Sequence, residues 1–335
     1  MPKQHASLKT SGVGIEGCSR AHVFCVVLTV VAASLASMAP RSFGAAIDPG
    51  HRIDIGGREL YLVCGGQLAP GRPTVVLVSG YHDSSDPWTQ ADVLSLLPGA
   101  VGPPVLPGLA RSQRVCAYDR PGTLRYIDGL PLTSRSTAVS QPRTVKDLTV
   151  ELHALLSKAR VPPPYVLVGH SLGGLIALLY ARTYPHEIGG IVFVDSFSPT
   201  IPNRLGVLWP LYRAVINPPS TAQPLTSLKL AASETVLLDE SIKQVEQAPP
   251  LATMPLVVLT KTEPFRIPAG ALPPGITLPQ IDVGYNGAES YFVALMPSTP
   301  QIFATGSEHY IQLSQPDLVI SATELIVRRA MSPIK

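Results

Sequence analysis

The sequence predicts an α/β fold: a mostly parallel central sheet flanked by helices. Three observations predict it. Continuous β-branched and aliphatic runs such as Thr74–Ser79 (TVVLVS) have the pattern of strands buried on both faces. These runs alternate with segments whose apolar residues recur at helical spacing, as at Val145, Leu148, Leu152, Leu155 and Leu156. With 335 residues, 45% hydrophobic and only 15% charged, the chain has apolar material for one large core.

The first 46 residues read differently from the rest. Lys3, Lys9 and Arg20 precede an uncharged apolar run from Ala21 to Ala39, and small residues ending in Gly44, Ala45 and Ala46 follow. A positive start, an apolar middle and a small-residue exit are the pattern of a secretory signal, cleaved here before Ile47. The alternative is an uncleaved membrane anchor, since the run is close to the ~20 residues that span a bilayer. Either reading places residues 47–335 outside the cytoplasm, secreted or periplasmic in the first case and membrane-associated in the second. The leader also accounts for the chain's excess of positive charge. Beyond it, basic and acidic residues stand at 22 each, so no basic stripe argues for a nucleic-acid partner.

Arg52–Ile55 and Glu59–Cys64, joined through Gly56 and Gly57, read as a hairpin. Thr74–Ser79 and Arg114–Tyr118 read as strands, Val145–Ala159 as a helix stopped by three prolines. Tyr165–Val168 is a strand, Leu175–Thr183 a helix and Gly190–Val194 another strand. A Pro-rich region, about 197–250, follows, with helical stretches near Ser227–Leu238 and Glu240–Glu246. Strands return at Leu256–Leu259 and Gln301–Ala304, and a helix over Pro316–Arg329 closes the chain. On such a sheet ligands bind beyond the carboxyl ends of the strands.

The most specific feature lies at one of those ends. Gly169-His170-Ser171-Leu172-Gly173 follows the strand YVLV directly and precedes the helix LIALLYART. The pattern G-x-S-x-G in a strand–turn–helix context is a nucleophile elbow, with Ser171 as the nucleophile. A tetrahedral intermediate needs preorganised donors, and the N–H of Leu172 supplies one. The N–H of Tyr81, in the loop after Thr74–Ser79, is expected to supply the second, with Gly80 allowing a tight turn there. The base should follow Ser171 in the chain, which leaves His186 and His309. His186 sits at the end of a helix, whereas His309 sits in a loop after the last strand and is the expected base. For the acid, Asp195 directly abuts the strand GIVFV and is preferred, with Glu263, after LVVL, and Asp282 as alternatives.

Four segments then resemble the α/β-hydrolase superfamily: VVLVSGYHDSSDPW at 75–88, VCAYDRPG at 115–122, LVGHSLGG at 167–174 and GSEHYIQLSQPDLVI at 306–320. The resemblance runs from about residue 51 to 330. Many members place the acid after the strand corresponding to LVVL, where this chain has only Glu263. A subset resembling the haloalkane dehalogenases places it one strand earlier, which matches Asp195, although the serine at 171 argues against dehalogenase chemistry. The first glycine-rich loop departs from the commoner His-Gly form, with Ser79 at the histidine's position. In the family's sheet order the strands carrying Cys64 and Cys116 are neighbours, so the resemblance implies a disulfide between them. It also places a cap at 197–250, where Leu205, Leu208, Trp209, Leu211 and Tyr212 could cover an apolar substrate.

The function these features imply is hydrolysis of an apolar carboxylic ester, or a related acyl bond, through an acyl-enzyme. Cofactor-free peroxidation of carboxylic acids on the same triad is the alternative chemistry, and a non-catalytic binding protein the alternative class. No metal is implied, for want of an HExxH pattern or a Cys/His cluster. No nucleotide cofactor is implied, for want of GxGxxG or a P-loop.

Overall fold

The β-branched runs form the middle of a sheet covered by helices on both faces. The computed structural model describes residues 47–90, 102–127, 130–217, 233–267 and 270–332. The leader, 1–46, and its apolar run lie outside these residues. Among the described residues no helix is long and apolar enough to cross a membrane.

The strands are β1 His51–Asp54, β2 Glu59–Gly65, β3 Thr74–Val78, β4 Val115–Tyr118, β5 Leu124–Ile127, β6 Leu130–Thr133, β7 Tyr165–His170, β8 Ile188–Val194, β9 Leu256–Lys261 and β10 Gln301–Ala304. Eight of them make one sheet in the order β1-β2-β4-β3-β7-β8-β9-β10, and β5 and β6 pair as a separate hairpin. From β4 to β10 every neighbouring pair is parallel, while β2 runs antiparallel to both β1 and β4. The central strands alternate between two cores. Val76 and Val78 face the helices Val145–Lys158 and Leu172–Thr183, whereas Val75 and Leu77 face Pro316–Ala330. Each such side chain is worth about 1.5–3 kcal/mol when fully buried, which explains why strands with no polar face persist here.

Cys64 and Cys116 are register partners on β2 and β4, and their side chains form a disulfide. The helix over Val145–Lys158 begins at a capping box, in which Thr144 and Asp147 satisfy each other's backbone N–H groups. Between β8 and β9 lie the helices Ile201–Leu205, Trp209–Ile216 and Leu238–Gln247. The helical stretch expected near Ser227–Leu238 is corrected in its described part. Residues 233–237 are not helical: Val236 makes an isolated bridge to Arg143 and its N–H donates to the Tyr81 hydroxyl. Residues 227–232 lie outside the described residues. A helix the periodicity did not show, Leu278–Ala288, starts at a capping box of Thr277 and Gln280.

Candidate active site

The turn after β7 is sharp because its glycines leave no room for anything larger. A Cβ on Gly173 would stand 2.1 Å from the Val78 carbonyl oxygen, and one on Gly169 would stand 2.5 Å from the Gly173 oxygen. Between them Ser171 takes φ 50 and ψ −122, a left-handed conformation that costs a non-glycine residue on the order of 1–3 kcal/mol. Its N–H donates to the Val194 carbonyl at 3.2 Å, and its carbonyl accepts from the Gly174 and Phe197 N–H groups at 2.9 Å each. Ser171 occupies the cap position of the helix Leu172–Thr183 without spending its side chain on a cap bond. Its hydroxyl therefore sits at the positive end of a helix dipole.

Asp195 lies directly beyond β8, also left-handed at φ 39. Its N–H donates to the Leu259 carbonyl at 2.8 Å, and the Asp195 carbonyl accepts from the Tyr285 hydroxyl at 2.9 Å. One carboxylate oxygen, Oδ1, accepts the Lys261 N–H at 3.1 Å; the other, Oδ2, accepts His309 Nδ1–H at 2.6 Å. Because Nδ1 carries that proton, Nε2 of His309 holds the lone pair. Burial pushes the His309 imidazole down to about 3, helped by the Lys261 ammonium and opposed by Asp282. Burial pushes the Asp195 carboxyl the other way, to about 7, against the Lys261 N–H and ammonium. Lys261 itself is buried, its Nζ 2.6 Å from Asp282 Oδ1 and 4.4 Å above the Phe265 ring.

The alternatives considered from sequence lie elsewhere. Glu263 is exposed and its carboxylate accepts from the Thr262 hydroxyl at 3.3 Å. Asp282 serves Lys261 and the Phe265 N–H. His186 is exposed on a short 3-10 turn, Pro185–Glu187.

The loop after β3 is held from below by a buried cation. Arg120 Nη1 and Nη2 donate to the carbonyls of Ser79 and Gly80 at 2.9 and 2.6 Å. Glu234 accepts from Arg120 Nε at 2.6 Å and Nη2 at 3.0 Å, and also from the His82 N–H at 2.8 Å. Ser79, at the position where the commoner loop has histidine, donates to the Ser84 carbonyl and accepts from Trp88 Nε1. With its carbonyls turned toward Arg120, the loop leaves the Tyr81 N–H without a hydrogen-bond partner among the described residues; the same is true of the Leu172 N–H. The Tyr81 ring stacks on His82, and its hydroxyl bonds Asn217 and Val236.

Sequence reasoning missed Arg120, Glu234, Lys261 and Tyr285. Arg120 stood inside a recognised segment, VCAYDRPG, but nothing local marks a buried guanidinium. Among the described residues no three His, Cys, Asp or Glu side chains converge as a metal ion would require.

Over residues 73–221 the chain matches the family described as alpha/beta hydrolase fold. An uncharacterised protein of Schizosaccharomyces pombe is 32% identical over 46% of this chain and 30% of its own length. A Cronobacter turicensis protein whose given name, carbamate hydrolase RutD, is itself provisional is 29% identical over 38% of this chain and 39% of its own. The chain thus spans well under half the length of these curated relatives. Among solved structures, a Thermoplasma acidophilum protein described as a predicted CIB-like hydrolase superposes with a TM-score of 0.52. That superposition covers 85% of this chain and all of the other, at 13% identity, and is a likeness of fold. The strand order and the sequence match agree: the chain has the α/β-hydrolase fold, and its residues 73–221 match that family.

Proposed function

We propose that this protein is a secreted serine hydrolase that cleaves a carboxylic ester, or a related acyl bond, through an acyl-enzyme. The observation that carries the reading is the 2.6 Å bond from His309 Nδ1 to Asp195 Oδ2, one strand end away from the left-handed Ser171. Ser171 Oγ attacks the acyl carbon while His309 Nε2 takes its proton. Asp195 keeps the ring in that tautomer and stabilises the imidazolium. The N–H groups of Leu172 and Tyr81 receive the oxyanion. Collapse of the tetrahedral intermediate breaks the bond to the leaving oxygen, which leaves with the proton from His309. Water then repeats the sequence and releases the acid and the free serine.

Apolar substrates fit the surroundings of the base. The rings of Phe265 and Tyr285 stand 4.9 and 5.7 Å from that of His309. Phe197 touches Tyr285 and Trp209 behind them, on the segment read as a cap. The disulfide supports a location outside the cytoplasm, whether the leader is removed or kept as an anchor. The related acyl bonds include the carbamate named for the Cronobacter relative.

The test is labelling by a fluorophosphonate probe, beside Ser171→Ala and His309→Ala. Labelling of the wild type and of neither variant is expected, followed by turnover of one series in a panel of esters and carbamates of graded chain length. A folded wild type that does not label would overturn the proposal in favour of a binding protein on a hydrolase fold.

A further inference from the structure

His170 is the member of Gly169-His170-Ser171-Leu172-Gly173 for which the proposed reaction has no task. It ends β7, it is 1% exposed, and it packs against His309, whose side chain bonds Asp195. Its Nε2 stands 3.0 Å from the main-chain carbonyl of His309. A carbonyl can only accept, so Nε2 carries the ring proton and Nδ1 the lone pair. The ring stands 4.5 Å from the His309 ring, 5.0 Å from that of Tyr310, and edge-on to Trp88 at 6.5 Å.

The other side of the ring is equally enclosed. Nδ1 is buried without a hydrogen-bond partner among the described residues, and Asp83 Oδ2 faces it at 3.9 Å. Gly80 closes the space, since a Cβ there would come within 2.7 Å of Nδ1 and 3.0 Å of Asp83 Oδ2. Close approach is therefore what Gly80 provides at this strand end. The imidazole joins three pieces of chain: the loop bearing Tyr81, the elbow bearing Ser171 and the loop bearing His309.

We propose that His170 is a positioning residue for the base, fixing the His309 loop through a permanent hydrogen bond from Nε2–H to the His309 carbonyl. The inference rests on the serine-hydrolase reading only in taking His309 as the base. His309 is tied by its side chain to Asp195 and by its main chain to His170, so its ring is located from two directions. A donor in this position must not ionise or exchange tautomers as His309 gains and loses its proton. Burial and the neighbouring His309 hold His170 well below the ordinary histidine range, with only Asp195 and the bonded carbonyl opposing. Asp83, which faces Arg120, Glu234 and Tyr310, is pushed up to about 7 by burial, and its Oδ2 stands 3.9 Å from Nδ1, beyond hydrogen-bond distance.

The test sets His170→Phe against His170→Gln. Phenylalanine keeps the ring and loses the donor; glutamine loses the ring and keeps an N–H that can reach the carbonyl. A side chain kept only to fill space between Trp88 and Tyr310 would tolerate phenylalanine better. A positioning donor predicts the reverse: His170→Phe labels with fluorophosphonate at least about tenfold more slowly, within the ~10²-fold that a misplacement near 1 Å can cost. It also predicts that KM for a turned-over ester stays near the wild-type value and that His170→Gln recovers most of the rate. Should His170→Phe fail to fold, His170→Asn, too short to reach the carbonyl, is expected to be slow in the same way.

A second readout does not need acylation. The downfield proton resonance of His309 Nδ1–H, identified by its loss in Asp195→Asn, should broaden and exchange faster in His170→Phe and stay sharp in His170→Gln. Equal labelling and equal resonances in the two variants would overturn the proposal. A folded wild type that never labels would overturn the hydrolase reading instead, while the resonances would still decide this one.

Discussion

Arg120 and Glu234 form a two-pronged ion pair with both side chains at most 1% exposed, at 2.6 and 3.0 Å, across 114 residues of chain. The pair stands directly beneath the loop that carries Tyr81, since the same guanidinium takes the carbonyls of Ser79 and Gly80. Position is what this pair contributes: it holds two carbonyls of the loop, and the next N–H, that of Tyr81, has no hydrogen-bond partner among the described residues.

Breaking that pair from one side leaves a buried charge without its partner. Glu234→Gln should therefore lower unfolding free energy by about 3–5 kcal/mol, the usual cost of removing one member of a buried pair. Urea denaturation measures it. Fluorophosphonate labelling of the folded variant should also slow, because the loop proposed to supply the Tyr81 N–H loses its tether. A variant as stable as the wild type would show that Arg120 is satisfied by the two carbonyls alone.

In the proposed reaction only the form of the Asp195–His309 pair with a carboxylate and a neutral imidazole acts as a base. The pair's last proton leaves near the higher of the two values, about 7, to which burial raises Asp195. Activity should therefore rise with pH through about 7. The Lys261 ammonium lowers both members of the pair, so Lys261→Met should move the acid limb of kcat/KM to higher pH. A pH–rate profile decides it, and an unmoved limb would mean that the Lys261 charge is screened from the pair.

Two carboxylates compete for the role of acid, and their replacements should differ greatly. Asp195→Asn removes the acceptor that fixes the His309 tautomer and should lower kcat by on the order of 10⁴-fold, as losing the triad carboxylate does elsewhere. Glu263→Gln touches an exposed side chain bonded to Thr262 and should change kcat by less than about twofold, as surface substitutions usually do. Steady-state kinetics on one good ester compares them directly.

The disulfide closes a loop with a sequence separation of 52 between two core strands. Replacing both cysteines by alanine should cost about 3–4 kcal/mol on the chain-entropy account of a loop this long. Denaturation of the double variant against the wild type gives the difference, and mass mapping with and without reductant gives the pairing.

Much of the fold was legible because strands buried on both faces must be written as unbroken aliphatic runs. TVVLVS, YVLV and LVVL could be read with no knowledge of their neighbours. The elbow was legible for a related reason: the packing of Gly169 and Gly173 is set by atoms within a few residues of them or on the adjoining strand. Leu278–Ala288 was harder to see. Pro279, Gly284 and Gly287 weaken its helical signal, and the Thr277–Gln280 capping box was the one local mark of its start. The non-helical run at 233–237 carried no such mark, because its hydrogen bonds go to Tyr81, Asn217 and Arg143.

The sequence by itself determined the doubly covered parallel sheet and the sharp turn at Ser171, and offered His186 and His309 as the histidines that follow it. What only the tertiary structure decided is which carboxylate meets His309 and what holds the loops around it. Asp195 and Glu263 both follow strands, and directly abutting its strand favours Asp195 locally without bringing it to the histidine. The left-handed turn at Asp195, pinned by Leu259 and Tyr285, aims one carboxylate at His309 and leaves the other in solvent. Local sequence encodes backbone preference and periodicity, which act over a few residues. A hydrogen bond between side chains 114 positions apart exists only once the sheet has brought them together.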